Sequence, residues 1–328
     1  MAKLLNTSFN NKYLGYLVRH WVQHPTRYAL DRWVMPRLGV EPHTVRNLCQ
    51  KAWPTVAALT SDNRETSAYD CIEWDAAANS DGTALLEEYA RKSRPLLLKN
   101  YAFSRGIKPW TFDYVKEIAG EAIAKIRVGE YDSEFGDPEM VSMRLGHFVD
   151  YVVGKTKFPL PGREVNGLKP YMGNNRMPLL DKHLPVPRFV GDSPGTHYWM
   201  GSSARTPLHC HQQGDFFIQQ LVGERTFILV PPHEALLVGF LPVNLNIGTA
   251  TFNPFEGEAN RSGRPSKVHP IRIDLKPGDA LLLPGFWFHA VQITGPSLSA
   301  TSASNLMPAA IGGGSMQPWR ERRWERGL

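Results

Sequence analysis

The sequence has few cysteines and no long apolar run, and both absences narrow the class of protein. Cys49, Cys71 and Cys210 are the only three cysteines in 328 residues. An odd, scattered set does not form a disulfide framework, so we expect a reducing compartment. No apolar run reaches the roughly eighteen residues of a transmembrane helix, and polar residues interrupt the N-terminal apolar positions. We therefore predict a cytoplasmic protein without membrane association.

The sequence also has only a small excess of positive over negative charge. It has no internal repeat or low-complexity tract. The net charge is +6, and the segment 319–327 carries four arginines and two glutamates. The rest of the chain offers no basic face, so we expect no nucleic-acid partner. Apolar residues make up 42% and charged residues 21% of the chain, with nine tryptophans. This composition is typical of a globular protein with a sizeable core and excludes a disordered or fibrous chain.

Three regions differ in their sequence pattern. Residues 1–65 have apolar positions at helical spacing broken by prolines, which predicts a helical segment packed on the core; a partner-binding module is the alternative. From residue 83 the pattern alternates short helices and strands, and we place the main domain at 83–310. Residues 311–328 are predicted to form a basic tail or a short helix.

Turn residues divide the main domain into short strands, which favours an all-β barrel or double sheet with helices added outside. We predict helices over 84–93, 110–119 and 142–153, and the last strands over 268–275, 280–294 and 297–307. Because proline, glycine and polar residues dominate them, the segments 60–80, 159–195 and 233–270 are predicted to be loops.

The segment TPLHCHQQGDFFIQQLVGER, residues 206–225, has the pattern of a metal-binding strand. Successive side chains of a strand alternate between its faces, so His209, His211 and Asp215 would share one face. Cys210 would then point to the opposite face, as a small core residue. Asp215 has two interpretations, as a fourth metal ligand or as a hydrogen-bond acceptor that orients a ligand histidine.

A second segment, GDALLLPGFWFHAV, supplies another histidine. Its apolar run predicts a buried strand that ends in a turn at Pro284-Gly285, followed by a second strand that carries His289. Two histidines on one strand and a third from a distant strand form a common mononuclear metal site with open coordination positions. Three imidazoles suit Fe, Cu, Ni or Zn, whereas an added carboxylate from Asp215 would favour Fe or Mn.

The order of several segments resembles that of the cupin-type JmjC-like oxygenases, the group that includes the asparaginyl hydroxylase acting on hypoxia-inducible factor. The resemblance covers roughly residues 85–310. It rests on RPLLLKNYA, WTFDYVKEIAG, the helix at 145–151, GDALLLPGFWFHAV and the closing strand with Asn305. It implies a mainly β, double-stranded β-helix (cupin or jelly-roll) fold, an Fe(II) ion and 2-oxoglutarate as co-substrate. Family analogy also suggests a homodimer contact through PWRERRWERGL.

The resemblance can be carried over residue by residue. The family's first and last metal ligands match His209 and His289, and a His-x-His motif stands where the family has His-x-Asp. The positions that match co-substrate contacts are Tyr171, Thr206, Arg225 and Asn305. Arginine replaces the usual lysine at Arg225, and it can still pair with a carboxylate through two hydrogen bonds.

Two departures from the family pattern have structural consequences. One extra residue lies between Phe217 and Gly223, which predicts a β-bulge before Arg225 can point inward. His211 in place of a carboxylate makes the site one charge unit more positive, which should favour an anionic co-ligand.

These patterns leave three functions open. The leading hypothesis is a non-haem iron dioxygenase, a 2-oxoglutarate-dependent hydroxylase of an unactivated C–H bond, which uses O2 and a small-molecule or peptide substrate. The second is a three-histidine cupin oxygenase that binds its substrate directly to the metal. The third is a non-catalytic, ligand-binding cupin.

Overall fold

The computed structural model describes the central part of the chain. Its described residues are 69–75, 82–92, 94–128, 139–164, 167–190, 195–211, 215–231, 234, 238, 240–242, 247–250, 253–255 and 268–303. The predicted segments 1–65 and 311–328 and the candidate residue Asn305 lie outside them. No helix in this part of the chain is long and apolar enough to cross a membrane.

The described residues form strands with a few short helices. The strands are β1 (Asp70–Glu73), β2 (Leu96–Lys99), β3 (Ile123–Val128), β4 (Glu139–Arg144), β5 (Tyr171–Arg176), β6 (His197–Gly201), β7 (Ala204–Arg205), β8 (His209–His211), β9 (Phe216–Val222), β10 (Arg225–Val230), β11 (Phe240–Pro242), β12 (Ile247–Ala250), β13 (Ile271–Leu275), β14 (Ala280–Leu283), β15 (Phe288–Ile293) and β16 (Ser297–Ala303). The helices are α1 (Thr83–Arg91), α2 (Tyr101–Ser104), α3 (Phe112–Ala119), α4 (Leu145–Val152) and α5 (Pro178–Asp181), with a 3₁₀ turn at Arg188–Val190.

Two sheets built from these strands face each other. The first has the order β1-β2-β14-β9-β16-β6-β5-β3-β4, and the second has the order β11-β12-β8-β15-β10-β13, with β7 beside β15. All pairs are antiparallel except β1 with β2. Consecutive strands β14 and β15 lie in different sheets, so the chain crosses between the sheets at the Pro284 turn. This arrangement confirms the predicted mainly β, double-stranded β-helix fold.

The core lies between the sheets and on the outer faces of both. The space between the sheets is filled by apolar side chains from β2, β9 and β14 on one side and from β10, β13 and β15 on the other. Every residue of β14 is buried, as expected for an apolar run with both faces covered. The inner faces of the two sheets therefore form the walls of the candidate site.

Helices cover the outer face of the first sheet. Helix α3 begins at Phe112, two residues after the predicted start at Trp110, because the Thr111 hydroxyl caps it by accepting a hydrogen bond from the Tyr114 N–H at 3.1 Å. Helices α3 and α4 pack with β3, β5, β6 and β16 in one cluster, and α1 packs on β2 and β14 in another. The helices thus bury the sheet face opposite to the candidate site.

Three of the predicted loops contain strands. The segment 60–80 includes β1, 159–195 includes β5 and 233–270 includes β11 and β12, so these loop predictions were wrong at those positions. Each of these strands is held by pairing with a neighbour: β1 with β2, β5 with β3 and β6, and β12 with β8. The pairing outweighs the local composition, which in β5 includes a glycine and two asparagines.

The start of the third predicted helix was also wrong. The prediction placed it at Ser142, whereas helix α4 begins at Leu145. The preceding residues continue β4, where Ser142 pairs with Lys125 of β3. The helix prediction extended into this strand because its apolar residues fit both spacings.

Candidate metal centre

Strands β8 and β15 bring three histidines together on the inner wall of the second sheet. His209 and His289 are directly paired across the two strands, and their ring centroids lie 4.2 Å apart. The His211 ring lies 5.0 Å from that of His209 and 5.2 Å from that of His289. One nitrogen from each ring lies within 4.8 Å of the others. This spacing allows all three rings to bind one metal ion.

Burial keeps the three imidazoles neutral. His289 is 7% exposed, and the other two rings are half-buried. Loss of solvation lowers the pKa of His211 to about 3 and the pKa of His289 well below its usual range. Burial also lowers the pKa of His209, and the positive charge of Arg127 lowers it further. Neutral imidazole is the form that binds metals, so no proton has to leave at neutral pH.

Two of the rings are oriented by backbone carbonyls. The Nδ1 atom of His209 lies 2.8 Å from the carbonyl oxygen of Pro207, and that of His289 lies 3.2 Å from the carbonyl oxygen of Trp287. A carbonyl only accepts hydrogen bonds, so each Nδ1 carries the proton and each Nε2 keeps a free lone pair. The structure therefore fixes the tautomer in which Nε2 is the metal ligand.

The turn before His289 is tied to the strand that carries the other two histidines. The N–H of Phe286 donates to the carbonyl of His211 at 2.8 Å, and the N–H of Gly285 donates to Asp215 Oδ1 at 2.8 Å. Asp215 is 4% exposed and is not part of the three-histidine group among the described residues. Its carboxylate thus holds the crossing turn, and through the turn it positions His289.

Arg225 points into the space between the sheets from the start of β10. It is 4% exposed and shares a strand face with the core residues Phe227 and Leu229. Its Nε donates to Ser297 Oγ at 2.9 Å, and Nη2 donates to the carbonyls of Trp199 and Ser297. None of the described carboxylates forms an ion pair with it. Burial lowers the pKa of Arg225 to about 9, so the guanidinium remains charged at neutral pH.

The predicted bulge lies before Arg225. Leu298 of β16 pairs with Val222 of β9, whereas the next residue, Ser299, pairs with Gln220, so Leu221 is the extra residue. Gly223 then turns the chain with φ of +65°, and a Cβ atom there would lie 2.0 Å from the carbonyl oxygen of Pro296. Only glycine fits this turn, and the turn directs the following strand toward the inner wall.

Two other matched co-substrate positions, Thr206 and Tyr171, lie in the described part of the chain. Thr206 is fixed on β15, because its Oγ1 accepts the N–H of Val291 at 2.8 Å and its own N–H donates to the carbonyl of that residue. Tyr171 is buried at the start of β5 and packs against Trp199 with ring centroids 6.3 Å apart. Thr206 is therefore fixed to the second sheet, and Tyr171 belongs to the first.

Arg127 is a charged residue near the site that the sequence reasoning missed. It lies on β3 directly opposite Tyr171 of β5, and its guanidinium carbon lies 5.8 Å from the centroid of that ring. Strand β3 alternates buried apolar residues with Ile123, Lys125 and Arg127. This alternation was the available signal, because it places Arg127 on the face away from the helices.

Other residues on or near these strands divide between the two faces. Gln219 pairs with Ala280 of the outer cluster under helix α1, so its side chain points away from the site, whereas Gln220 bonds Ser297 on the inner side. Trp287 is packed in the core between the sheets. Cys210 is buried in the cluster on the outer face of the second sheet, as predicted.

The fold and the histidine cluster define a cupin with a metal-binding group, and comparison with known families agrees. The model of the cupin-like domain matches residues 82–305. Because this match covers more than half of the chain, the chain belongs to the cupin-like domain family. This family is of the JmjC type, whose members are broadly iron and 2-oxoglutarate oxygenases.

Two curated relatives are similar to this chain over different lengths. "Jumonji C domain-containing protein 5" of Drosophila melanogaster is 25% identical over 270 residues, which cover 76% of this chain and 62% of that protein. This chain therefore matches less than two thirds of that relative's length. "tRNA wybutosine-synthesizing protein 4" of Neurospora crassa is 32% identical over 84 residues, 25% of this chain and 7% of that protein. The narrower likeness to the asparaginyl hydroxylase stays a prediction.

Proposed function

We propose that this protein is an Fe(II)-dependent oxygenase that uses 2-oxoglutarate to hydroxylate an unactivated C–H bond. The observation that carries the proposal is the convergence of His209, His211 and His289 as neutral imidazoles on the inner wall. Arg225 adds a buried cation on the same wall. The cupin-like family match supports the same class of chemistry.

The donor set fits a divalent metal ion. Three neutral imidazoles suit Fe(II), and the carbonyl contacts of His209 and His289 leave their Nε2 atoms available. His211 would complete the set. With three protein ligands, coordination positions remain for a co-substrate and O2. When bound, the ferrous ion and 2-oxoglutarate would supply oxygen activation, coupled to loss of CO2 from the co-substrate.

The position of Arg225 fits the distal carboxylate of 2-oxoglutarate. His289 pairs with Leu229 of β10, and Arg225 lies four residues earlier on that strand. At about 3.3 Å per residue, their Cα levels differ by roughly 13 Å. The long arginine side chain and a five-carbon dicarboxylate can together span this separation. An anion there would also compensate a buried charge that is costly to keep unpaired.

The protein's own residues would position the reactants and exclude water. Arg225 would fix the outer carboxylate, with Thr206 and Tyr171 beside it, so that the keto acid end faces the histidines. The Phe216 ring packs against His211 with ring centroids 4.8 Å apart, and Trp287, two residues before His289, is packed in the core between the sheets. A fixed, water-poor site favours a controlled reaction over loss of oxidising equivalents to solvent.

The substrate class that we favour is a small amino-acid-like molecule, and a protein side chain is the second candidate. The site carries more positive charge than the family pattern because His211 replaces a carboxylate. This excess favours substrates or co-ligands with a carboxylate. We propose a monomer or homodimer without nucleic-acid or membrane partners as the working form.

Anaerobic metal and co-substrate titration tests the proposal. Fe(II)-loaded protein should change its visible absorption when 2-oxoglutarate is added, and should then convert it to succinate in air with an accepted substrate. His289→Ala should abolish both effects, whereas Cys210→Ala, a buried change on the opposite face of β8, should retain both.

Other outcomes would support a different function. If 2-oxoglutarate leaves the absorption unchanged while another substrate shifts it and consumes O2, a three-histidine oxygenase with direct substrate binding is the better description. If the metal-loaded protein consumes no O2 with any candidate and His289→Ala keeps its biological activity, the chain is a ligand-binding cupin.

A further inference from the structure

Arg127 lies at the edge of the candidate site. In the first sheet, strand β5 with Tyr171 stands between β6 and the strand of Arg127. Its strand, β3, pairs with β5, and the two residues are direct cross-strand partners. The guanidinium carbon lies 5.8 Å from the centroid of the Tyr171 ring. Burial raises the pKa of Tyr171, and the charges of Arg127 and Arg225 act against this rise. Both cations therefore act on the same part of the cavity.

No anion of the described chain compensates Arg127. Its Nε atom is buried and has no hydrogen-bond partner, and none of the described carboxylates forms an ion pair with it. The residue as a whole is half-buried. By contrast, Arg225 is held by Ser297 and by the carbonyl of Trp199. The Arg127 side chain also contacts the Tyr171 hydroxyl, which is uncharged and does not compensate it. A half-buried guanidinium with no carboxylate beside it is a binding group for an external anion.

The charge balance of the cavity indicates which ligand would supply this anion. A divalent ion held by three neutral histidines, together with Arg225 and Arg127, would give the cavity four positive charges, against one negative charge on the buried Asp215 carboxylate. Bound 2-oxoglutarate would add two negative charges, of which one would lie at the metal and one at Arg225. One positive charge would remain, and Arg127 is the cation that no described carboxylate pairs with. The cavity is therefore suited to a second anionic ligand besides the co-substrate.

We infer that Arg127 binds a carboxylate of the primary substrate and so determines the substrate class of this enzyme, an inference that rests on the proposed function. The planar guanidinium matches a carboxylate through two parallel hydrogen bonds. The substrate would place this carboxylate against Arg127, while its reacting carbon faces the three histidines. The expected substrates are carboxylate-bearing, amino-acid-like molecules, and neutral or cationic side chains are disfavoured.

The test compares Arg127→Gln and Arg127→Lys with a matched control on the same strand. Lys125 lies two residues from Arg127 on the same face and is exposed, so Lys125→Gln removes one positive charge without removing the inferred contact. The probes are N-acetyl-L-amino acids and their primary amides, which differ in the charge of one group. Their binding to full-length protein with Zn(II), which is redox-inert, is measured by ligand-observed NMR with and without 2-oxoglutarate.

We expect at least one acid to bind about tenfold or more tightly than its amide, as the loss of one charge-assisted hydrogen bond implies. Arg127→Gln should reduce this preference to less than about twofold, Arg127→Lys should retain part of it, and Lys125→Gln should leave it unchanged. An equal loss in Lys125→Gln would overturn the inference, because a general surface field would then be responsible. No acid preference in the unmodified protein would also overturn it.

The affinity for 2-oxoglutarate separates this inference from the proposed function. Arg127→Gln should leave 2-oxoglutarate binding to the metal-loaded protein unchanged within about twofold. If the substitution abolishes that binding, Arg127 is a co-substrate anchor and the inference is wrong. If 2-oxoglutarate fails to bind the unmodified protein while the acid preference depends on Arg127, the proposed function fails and the carboxylate site stands.

Discussion

Replacement of Arg225 should separate co-substrate binding from protein stability. Arg225 is a buried cation held by one hydroxyl and two backbone carbonyls, with no described carboxylate beside it. Arg225→Met has a similar length and no charge. Arg225→Lys keeps the charge and introduces the residue that the family pattern has at this position. We expect the methionine variant to lose most of its affinity for 2-oxoglutarate and the lysine variant to keep most of it.

The magnitude follows from the contacts that the variant removes. A hydrogen bond to a charged group contributes about 1.5–3 kcal/mol, and every 1.4 kcal/mol is tenfold in affinity. Arg225→Met should therefore weaken 2-oxoglutarate binding by roughly 10- to 150-fold. Burial lowers the pKa of Arg225, which means that the folded protein keeps this charge at a cost. An apolar replacement removes this cost but leaves the Ser297 and Trp199 acceptors without their donor. The two effects oppose each other, so the free energy of unfolding should stay within about 2 kcal/mol of that of the unmodified protein.

Two measurements check the prediction. Isothermal titration of 2-oxoglutarate into Zn(II)-loaded protein gives the dissociation constant, and urea unfolding of the metal-free protein gives the stability. Ser203→Ala is the control for a local change outside the cavity: it removes a half-buried hydroxyl on the turn between β6 and β7 that donates to the carbonyl of Gly167. Unchanged 2-oxoglutarate affinity in Arg225→Met would refute the assignment. A loss of stability by several kcal/mol would refute the charge argument instead.

Four further predictions concern the candidate metal centre and the residues that support it. Because burial lowers the pKa of all three histidines, Zn(II) affinity measured by competition should fall less than about threefold between pH 7.5 and 5.5, whereas three ordinary imidazoles would lose about a thousandfold. The unfolded chain takes up protons below about pH 6.5 that the folded metal-free protein does not, so urea unfolding should show stability falling as the pH decreases below that value. Asp215→Asn can still accept the Gly285 N–H and should keep metal affinity within about threefold, whereas Asp215→Ala should lower it about 10- to 100-fold; equal losses in both would make Asp215 a direct ligand. Gly223→Ala should destabilise the protein by about 2 kcal/mol or more in the same unfolding assay, and a neutral result would contradict the tight turn.

The sequence was most informative where spacing and turn chemistry act together. The apolar run, the Pro284-Gly285 turn and His289 predicted two strands and a returning histidine, and β14 and β15 have this arrangement. Comparison with the family's spacing predicted a bulge between Phe217 and Gly223, and the bulge is present at Leu221. In each case, the alternation of side chains along a strand leaves few alternatives.

The missed strands depend on partners that lie far away in the sequence. Strand β12 pairs with β8, about forty residues earlier, and β5 lies between β3 and β6 in the first sheet. Their own sequences are short and contain glycine and asparagine, which are poor strand formers. Only the assembled sheet provides the hydrogen-bond partners that make these segments strands, so local composition predicted loops.

Arg127 was missed for a related reason. In the sequence it is an ordinary basic residue in an alternating strand, and nothing local distinguishes it from Lys125. The distinction arises from the pairing of β3 with β5, which places Arg127 and not Lys125 beside Tyr171. The electrostatics of the candidate site therefore depend on sheet order, which the sequence pattern alone does not provide.

The crossing from β14 to β15 makes the metal centre sensitive to the distance between the two sheets. β14 belongs to the first sheet and His289 follows in the second, while backbone hydrogen bonds from Gly285 and Phe286 fasten the crossing to Asp215 and the His211 carbonyl. A core substitution that moves the sheets apart would change the distances between the three histidine rings without replacing any of them. Under the proposed function, mutations in the apolar interior would therefore change metal selectivity although they lie far from the three histidines.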